Sequence, residues 1–474
     1  MNQPFKAWKA EWDLLQQSVP VILEEEEQGW LFSNHIEEME DIMLQMKWQS
    51  NVPGSGAPER VIYGAVQAME NLGYDVREAE ALLPLGTAAF ERKDMVELTR
   101  LTTRIWHLLN HAPKDPHHPA WQYGRYESFA DVEQEVSFPA PTAYDRHAPQ
   151  YLEATYYGWL AQICAGAVGT AVEGYTPEAI QKAFGTIKDY VRKPNTYNDD
   201  ITYEIAFLKA LERKGLDLSS ADIAEEWAGL VTFGWSAEEW ALKNIKLGIY
   251  PPESGKLHNP YREWIGAQMR GAICGMIVPG DYRRAAQYAF MDGVVSHHNN
   301  GVLGELFNAM LVAGAYVESD VRVLLRTVID LLPKRSEYYA VVKFALEQCE
   351  MQVAWQDAWE PCRKKFDHYN WIHSYPNAAA EVIALWFGKG DFTETISISC
   401  HQGYDVDCNA AQIGTVLGIQ KGAKALAPHW TKPIGDRLDT YLRRYKVMSI
   451  RELARDTVRA AKQIEQPQGK KGSI

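Results

Sequence analysis

Alternating runs of Val, Ile and Thr bounded by turn residues mark half-buried strands, and this chain has almost none. The best instance, Thr395 to Cys400, fits a helix end equally well. Apolar residues recur instead at spacings of three and four, through Ile36, Met39, Ile42, Met43 and Met46 opposite a Glu/Asp face, and again through Leu98, Leu101, Ile105, Leu108 and Leu109. That stripe is the core-facing side of an amphipathic helix. The punctuation agrees. Thr176-Pro177-Glu178 reads as an N-cap followed by proline at the first helical position, and Ser236-x-x-Glu239 and Ser449-x-x-Glu452 read as capping boxes. An all-α fold is predicted.

At 474 residues the chain exceeds what one hydrophobic core usually supports. The break falls at residues 111–149, where Pro113, Pro116, Pro119, Pro139, Pro141 and Pro149 preclude a long regular helix. Trp121, Tyr123, Tyr126 and Phe129 in the same stretch favour burial, so it reads as a linker or as an ordered strap. The expected organisation is an N-terminal helical region over 1–110, this strap or linker, and a compact multi-helix domain over 150–465. The polar tail from Gln466 to Ser473 is expected to fray.

A formal charge of −14 without a basic stripe argues against nucleic acid as a partner; Arg443-Arg444 with Lys446 is too short to track a phosphate backbone. The glutamates at 24 to 27 read as a solvated face. Six cysteines without a CxxC pair suggest neither a zinc knuckle nor a disulfide framework, and a cytoplasmic location is expected. Met1 to Asp13 lacks the apolar stretch of a secretory signal. Ala154 to Val172 is uncharged but carries Gln162, three glycines and one Leu, so it reads as a core helix and no membrane partner is expected.

Two acidic constellations stand about 200 residues apart. Asn198-Asp199-Asp200 precedes the amphipathic run Ile201 to Leu211, where an acidic pair is also a plain helix start. Gly403-Tyr404-Asp405-Val406-Asp407-Cys408-Asn409 precedes a small-residue helix. A D-x-D on a loop entering a helix can aim two carboxylates at one hard cation, though Asp/Gly turns are common for backbone reasons alone. Between the two lies Ser296-His297-His298-Asn299-Asn300-Gly301. The helix Tyr156 to Ala171 puts Gly158, Ala161, Ala165 and Gly169 on one face, which lets a neighbouring helix approach closely, and it delivers Glu173 just past its end.

In order and content these elements resemble the ADP-ribosylglycohydrolases over roughly residues 150 to 430: a Gly/Ala-rich first helix ending in Glu173, the pair Asp199-Asp200, the Ser-His-His stretch at 296 to 298, and Gly403-Tyr-Asp405-Val-Asp407. The resemblance implies a compact all-α domain with two divalent cations, Mg²⁺ or Mn²⁺, in a cleft for an ADP-ribose-like group. Carried over by position, it makes Asp199, Asp200, Asp405 and Asp407 metal ligands, with Glu173, Asp200 and Asp405 in catalytic roles. His297, His298, Asn300 and Arg270 are candidates for contact with substrate. The family's threonines are replaced by Asn198 and Cys408, which become candidate ligands themselves; an amide oxygen suits a hard ion and a thiol does not.

The chemistry so implied is metal-dependent hydrolysis of a glycosidic bond in an ADP-ribosylated or ribosyl substrate, small molecule or protein-linked. Two rivals follow from the same residues: a catalytically silent binding or structural member of the fold, motivated by Asn198 and Cys408, and a metal-dependent phosphohydrolase. Arg270 has a second reading too, as a guanidinium paired with a buried carboxylate. Oligomeric state has no signature in the sequence.

Overall fold

The computed structural model describes residues 5–29 and 33–465. It separates into two compact units, one reaching Lys47 and one beginning at Trp48. In the first, the described residues form the helix Ala7–Gln17 and most of the helix Ser33–Trp48. The tail from Gln466 lies outside the described residues.

Among the described residues of the second unit, helices dominate, and the only ladders are two pairs of two-residue strands, Ser50–Asn51 with Pro58–Glu59 and Leu438–Asp439 with Val447–Met448. The all-α expectation is met. Thr395 to Cys400 lies wholly within the helix Phe392–Gln402. Ser449 caps the helix Ile450–Gln463 as expected, its side chain accepting from the Glu452 amide, and Thr176 accepts from the amide of Ala179. Ser236 does not cap: it is the first residue of the helix Ser236–Lys246, after Trp235.

The helix Met95–Asn110 buries Leu98, Ile105 and Leu109, three of the apolar stripe. Residues 111–149 hydrogen-bond to distant segments of the second unit. The Gly124 amide donates to Arg335 O, that of Tyr126 to Asn299 Oδ1 and that of Thr142 to Gly280 O, and Tyr126 is buried.

The centre of the core is the pairing of the helix Pro149–Gly169 with the helix Val406–Lys421. They run antiparallel: Gly169 meets Asp407 at one end and Gly158 meets Ile419 at the other. A Cβ on Gly169 would lie 2.3 Å from Asp407 Cα, and one on Gly418 would lie 2.2 Å from Tyr157 O. Only hydrogen side chains permit this approach, so the small-residue face seen in the sequence is what sets the interaxial distance. No described helix is long and apolar enough to cross a membrane, and the uncharged stretch forms most of the buried Pro149–Gly169 helix.

Candidate active site

The close helix pair brings the end of the first helix to the start of the other. The Gly174 amide donates to Tyr404 O at 2.9 Å, so Glu173 is pinned beside the D-x-D loop. That loop turns through left-handed backbone at Gly403 (φ 72°) and Tyr404 (φ 68°), and a Cβ on Gly403 would lie 2.5 Å from Tyr175 O. Asn377, on the helix Ser374–Gly388, fixes the same loop by accepting from the Asp405 amide at 3.2 Å and from Asn409 Nδ2 at 2.8 Å.

The other acidic pair arrives on the first turn of the helix Asp199–Lys214. Asn198 is its N-cap, with Oδ1 accepting from the Asp200 amide at 2.7 Å, while Nδ2 donates to Asp407 Oδ2 at 3.2 Å. One side chain thus ties together two motifs 209 residues apart. Cys408 ties them again, its thiol donating to Asp200 Oδ1 at 3.2 Å. Ligand atoms of Asp200, Asp407 and Cys408 lie within 4.8 Å of one another, and so do those of Glu173, Asp405 and Asp407. Asp407 belongs to both groups.

The electrostatics of this cluster are unbalanced. Among the described residues, Asp199, Asp200, Asp405, Asp407 and Glu173 have no Lys or Arg within ion-pair distance. Burial, and then the charge of Asp407, push Asp200 and Asp405 well above the usual carboxylate range, and burial raises Asp407 itself. Glu173, half-buried, is raised well above that range by burial and by Asp407, Asp405, Asp199 and Glu59 in turn. Asp199 is exposed at its surface yet has protein packed densely around its carboxylate, and this crowding together with Asp407 lifts it to about 6. Asp200 Oδ2, Asp405 Oδ1 and Asp407 Oδ1 are buried with no hydrogen-bond partner. Unpaired, mutually repelling carboxylate oxygens are what a hard divalent cation satisfies, so the donor set fits Mg²⁺ or Mn²⁺. Cys408 fits less well as a ligand. Burial and four neighbouring carboxylates hold its pKa well above the usual thiol value, which keeps it an S–H donor.

The remaining sequence candidates make their hydrogen bonds and ion pairs with groups outside the acidic cluster. Arg270 is 1% exposed and paired with Asp292 Oδ2 and, at 3.3 Å, with Glu238 Oε1, over the face of Trp227; the structure shows the buried-pair reading. His297 is fully enclosed, with Nδ1 2.7 Å from Ser296 Oγ, and burial then Arg270 drive its pKa well below the usual histidine value. Asn300, 2% exposed, donates to Glu263 and accepts from the Tyr338 amide. His298 borders a cavity that contains none of the acidic cluster.

Two residues carry no signal that sequence reasoning used. Glu59, 7% exposed, accepts from Trp235 Nε1 at 3.0 Å, and burial raises it to about 7. It comes from the segment before the strap, after the turn run Gly54-Ser-Gly-Ala-Pro58, and lines a cavity of about 610 Å³ with Arg60, Tyr63, Trp264 and Trp371. A Cβ on Gly174 would lie 3.6 Å from the Trp371 ring, and the Trp371 carbonyl accepts from Asn377 Nδ2 at 2.8 Å. Through Trp371 the cavity reaches the neighbourhood of Gly174, with one wall supplied by residues 49–70.

Comparison with known proteins gives the following. A family model described as ADP-ribosylglycohydrolase matches residues 148–467. A solved structure described as an "ADP-ribosylglycohydrolase-related protein complex" is similar at 16% identity and a TM-score of 0.45, over 67% of this chain and 99% of that chain. No curated protein matches.

Proposed function

Because the chain belongs to the ADP-ribosylglycohydrolase family, we propose that it hydrolyses a glycosidic bond of an ADP-ribosylated or ribosyl substrate at a centre of two divalent cations. The observation that carries this reading is the convergence of Asp200 with Asp405 and Asp407 around unpartnered buried oxygens, with Asp407 common to both ligand groups. Asp199, Asp200, Asp405 and Asp407 would hold the cations, with Glu173 beside them. Bound there, Mg²⁺ or Mn²⁺ supplies Lewis acidity toward ribose hydroxyls and water.

The protein's own groups do the rest. Cleavage of a glycosidic bond passes through an oxocarbenium-like sugar, and positive charge at the anomeric carbon is stabilised beside the carboxylates of this wall. Glu173, half-buried at the helix end with a raised pKa, is the group that would exchange a proton with water at its carboxyl, acting as base once positive charge beside it offsets the repulsion of its acidic neighbours. Asn198 and Cys408 act by positioning: the first joins the Asp200 amide to the Asp407 carboxylate, and the second holds Asp200 Oδ1. The cavity lined by Glu59, Tyr63 and Trp371 offers polar and aromatic surface to the rest of the substrate.

The test is a screen of ADP-ribosylated and ribosyl compounds with Mg²⁺ and Mn²⁺, run on the wild type and on Asp199→Asn and Asp405→Asn. Both variants should lose metal-dependent turnover and keep the helical circular dichroism of the parent. Unchanged turnover would remove the carboxylate centre. Release of phosphate or a nucleoside monophosphate would point to phosphohydrolysis instead. A silent member of the family is the second reading, favoured by the Asn198 oxygen spent in a cap and the protonated Cys408 thiol. It would be established by less than about one ion per chain under Mn²⁺ saturation.

A further inference from the structure

His298, singled out in the sequence and unused above, opens on a cavity of about 470 Å³ between the helix Met95–Asn110 and residues 253–262. That size lies within the roughly 300–1,000 Å³ of small-molecule sites. One part of its lining is apolar, from Met69, Leu72, Trp106 and Leu109. The other part is cationic, from Lys114, Arg125, Lys256 and Arg262, against two carboxylates, Glu127 and Glu253. This is a local excess of positive charge in a chain whose net charge is −14.

Of these four cations, Lys256 has a close carboxylate and the other three do not among the described residues. Glu127 is shared, holding Lys256 at 3.0 Å and facing His298 Nε2 at 3.3 Å. Among the described residues, Arg125 has only the distant Glu263, at 3.9 Å. Among the described residues, no carboxylate lies within ion-pair distance of Arg262 or Lys114. Arg262 spends Nη1 on Asn259 O at 2.9 Å, and burial pulls its pKa down, the mark of a guanidinium short of counter-charge. Lys114 and Arg125 are held over the Trp121 ring, 4.4 and 4.9 Å from its centroid, which presents both heads at fixed positions. Burial keeps His298 uncharged near neutrality, with a pKa of about 4, so it enters as a neutral hydrogen-bonding group.

We propose that this cavity is a second binding site, for an organic phosphate whose anionic end meets Arg262, Arg125 and Lys114 and whose apolar body lies against Trp106, Met69 and Leu109. It shares no residue with the acidic cluster and stands independently of the hydrolase reading. A guanidinium and an ammonium converging from different segments match the several oxygens of a phosphate monoester better than one carboxylate.

The experiment is calorimetric titration of the full chain with 1-naphthyl phosphate and with inorganic phosphate, in EDTA so that no divalent cation bridges the anion to the acidic cluster. The expected result is saturable one-to-one binding of naphthyl phosphate, weakened by salt, with inorganic phosphate at least about tenfold weaker. Lys114→Gln and Arg262→Gln should each weaken it about tenfold, the loss of one charge-assisted hydrogen bond, and Asp405→Asn should leave it unchanged. Lys114 is exposed, so its variant tests the site without disturbing the core. The proposal is overturned by absence of saturable binding, by equal affinity for inorganic phosphate, by full affinity in Lys114→Gln, or by loss of binding in Asp405→Asn.

Discussion

Replacing Gly169 by alanine tests how the centre is built. A Cβ there would lie 2.3 Å from Asp407 Cα, 2.5 Å from its amide nitrogen and 2.7 Å from Val406 O, all of them backbone atoms that no rotamer change can clear. Ordinary contact begins near 3.4 Å, so the start of the helix Val406–Lys421 has to retreat by about 1 Å. Overpacking of this kind costs about 1–3 kcal/mol. The carboxylate of Asp407 moves with its backbone, and a displacement of about 1 Å at a reacting centre can cost about a hundredfold in rate. Gly166→Ala is the matched control. On the same face of the same helix, its Cβ would meet Ala411 Cβ at 3.6 Å, an ordinary contact, and alanine's better helix propensity returns up to about 1 kcal/mol. Urea unfolding should therefore place Gly169→Ala below the wild type and Gly166→Ala at or above it, and titration with Mn²⁺ should show affinity lost only in Gly169→Ala. Equal stability and Mn²⁺ affinity in all three proteins would refute the argument that this contact sets the geometry of the site.

The other predictions concern charge. Mn²⁺ at a hundred times its dissociation constant should stabilise the protein by about 2.7 kcal/mol over an EDTA-treated sample in thermal unfolding, and the gain should vanish in Asp405→Asn. Arg270→Met leaves the buried Asp292 and Glu238 without their cation and should cost about 3–5 kcal/mol in denaturant unfolding. Burial raises Glu381 to about 8 despite the hydrogen bond from Gln268. Between the ordinary value of 4.5 and about 8 the folded protein keeps this proton and the unfolded chain releases it. The contribution of Glu381 to stability therefore falls as pH rises through that window, by up to about 1.4 kcal/mol per pH unit, and is level outside it. In Glu381→Gln that slope should be absent, so the stability difference between variant and wild type should shift in the variant's favour from pH 5 to pH 8. A difference constant with pH would show that Glu381 does not hold its proton.

Much of this protein follows from local pattern. Apolar spacings of three and four and the caps at Thr176 and Ser449 specify helices because both act within a few residues along the chain. The glycines and alanines facing out from 158 to 169 specify a close helix partner, since a missing side chain is a missing steric limit whatever the neighbour. The order of acidic motifs was enough to suggest the family. What the sequence could not supply is which atoms face each other. Asn198, read as a possible ligand, turns out to join Asp200 to Asp407, and Cys408 donates to a carboxylate, because burial among four acids decides its protonation. Arg270 and Asn300 are polar residues whose partners, Asp292 and Glu263, lie 22 and 37 positions away, so only the fold shows that they are already satisfied. Glu59 was invisible for the same reason: its burial and its raised pKa come from a hairpin, Ser50–Asn51 with Pro58–Glu59, that meets Trp235 through tertiary packing. Helix identity is a property of neighbours in sequence, whereas ligation, burial and charge balance belong to neighbours in space.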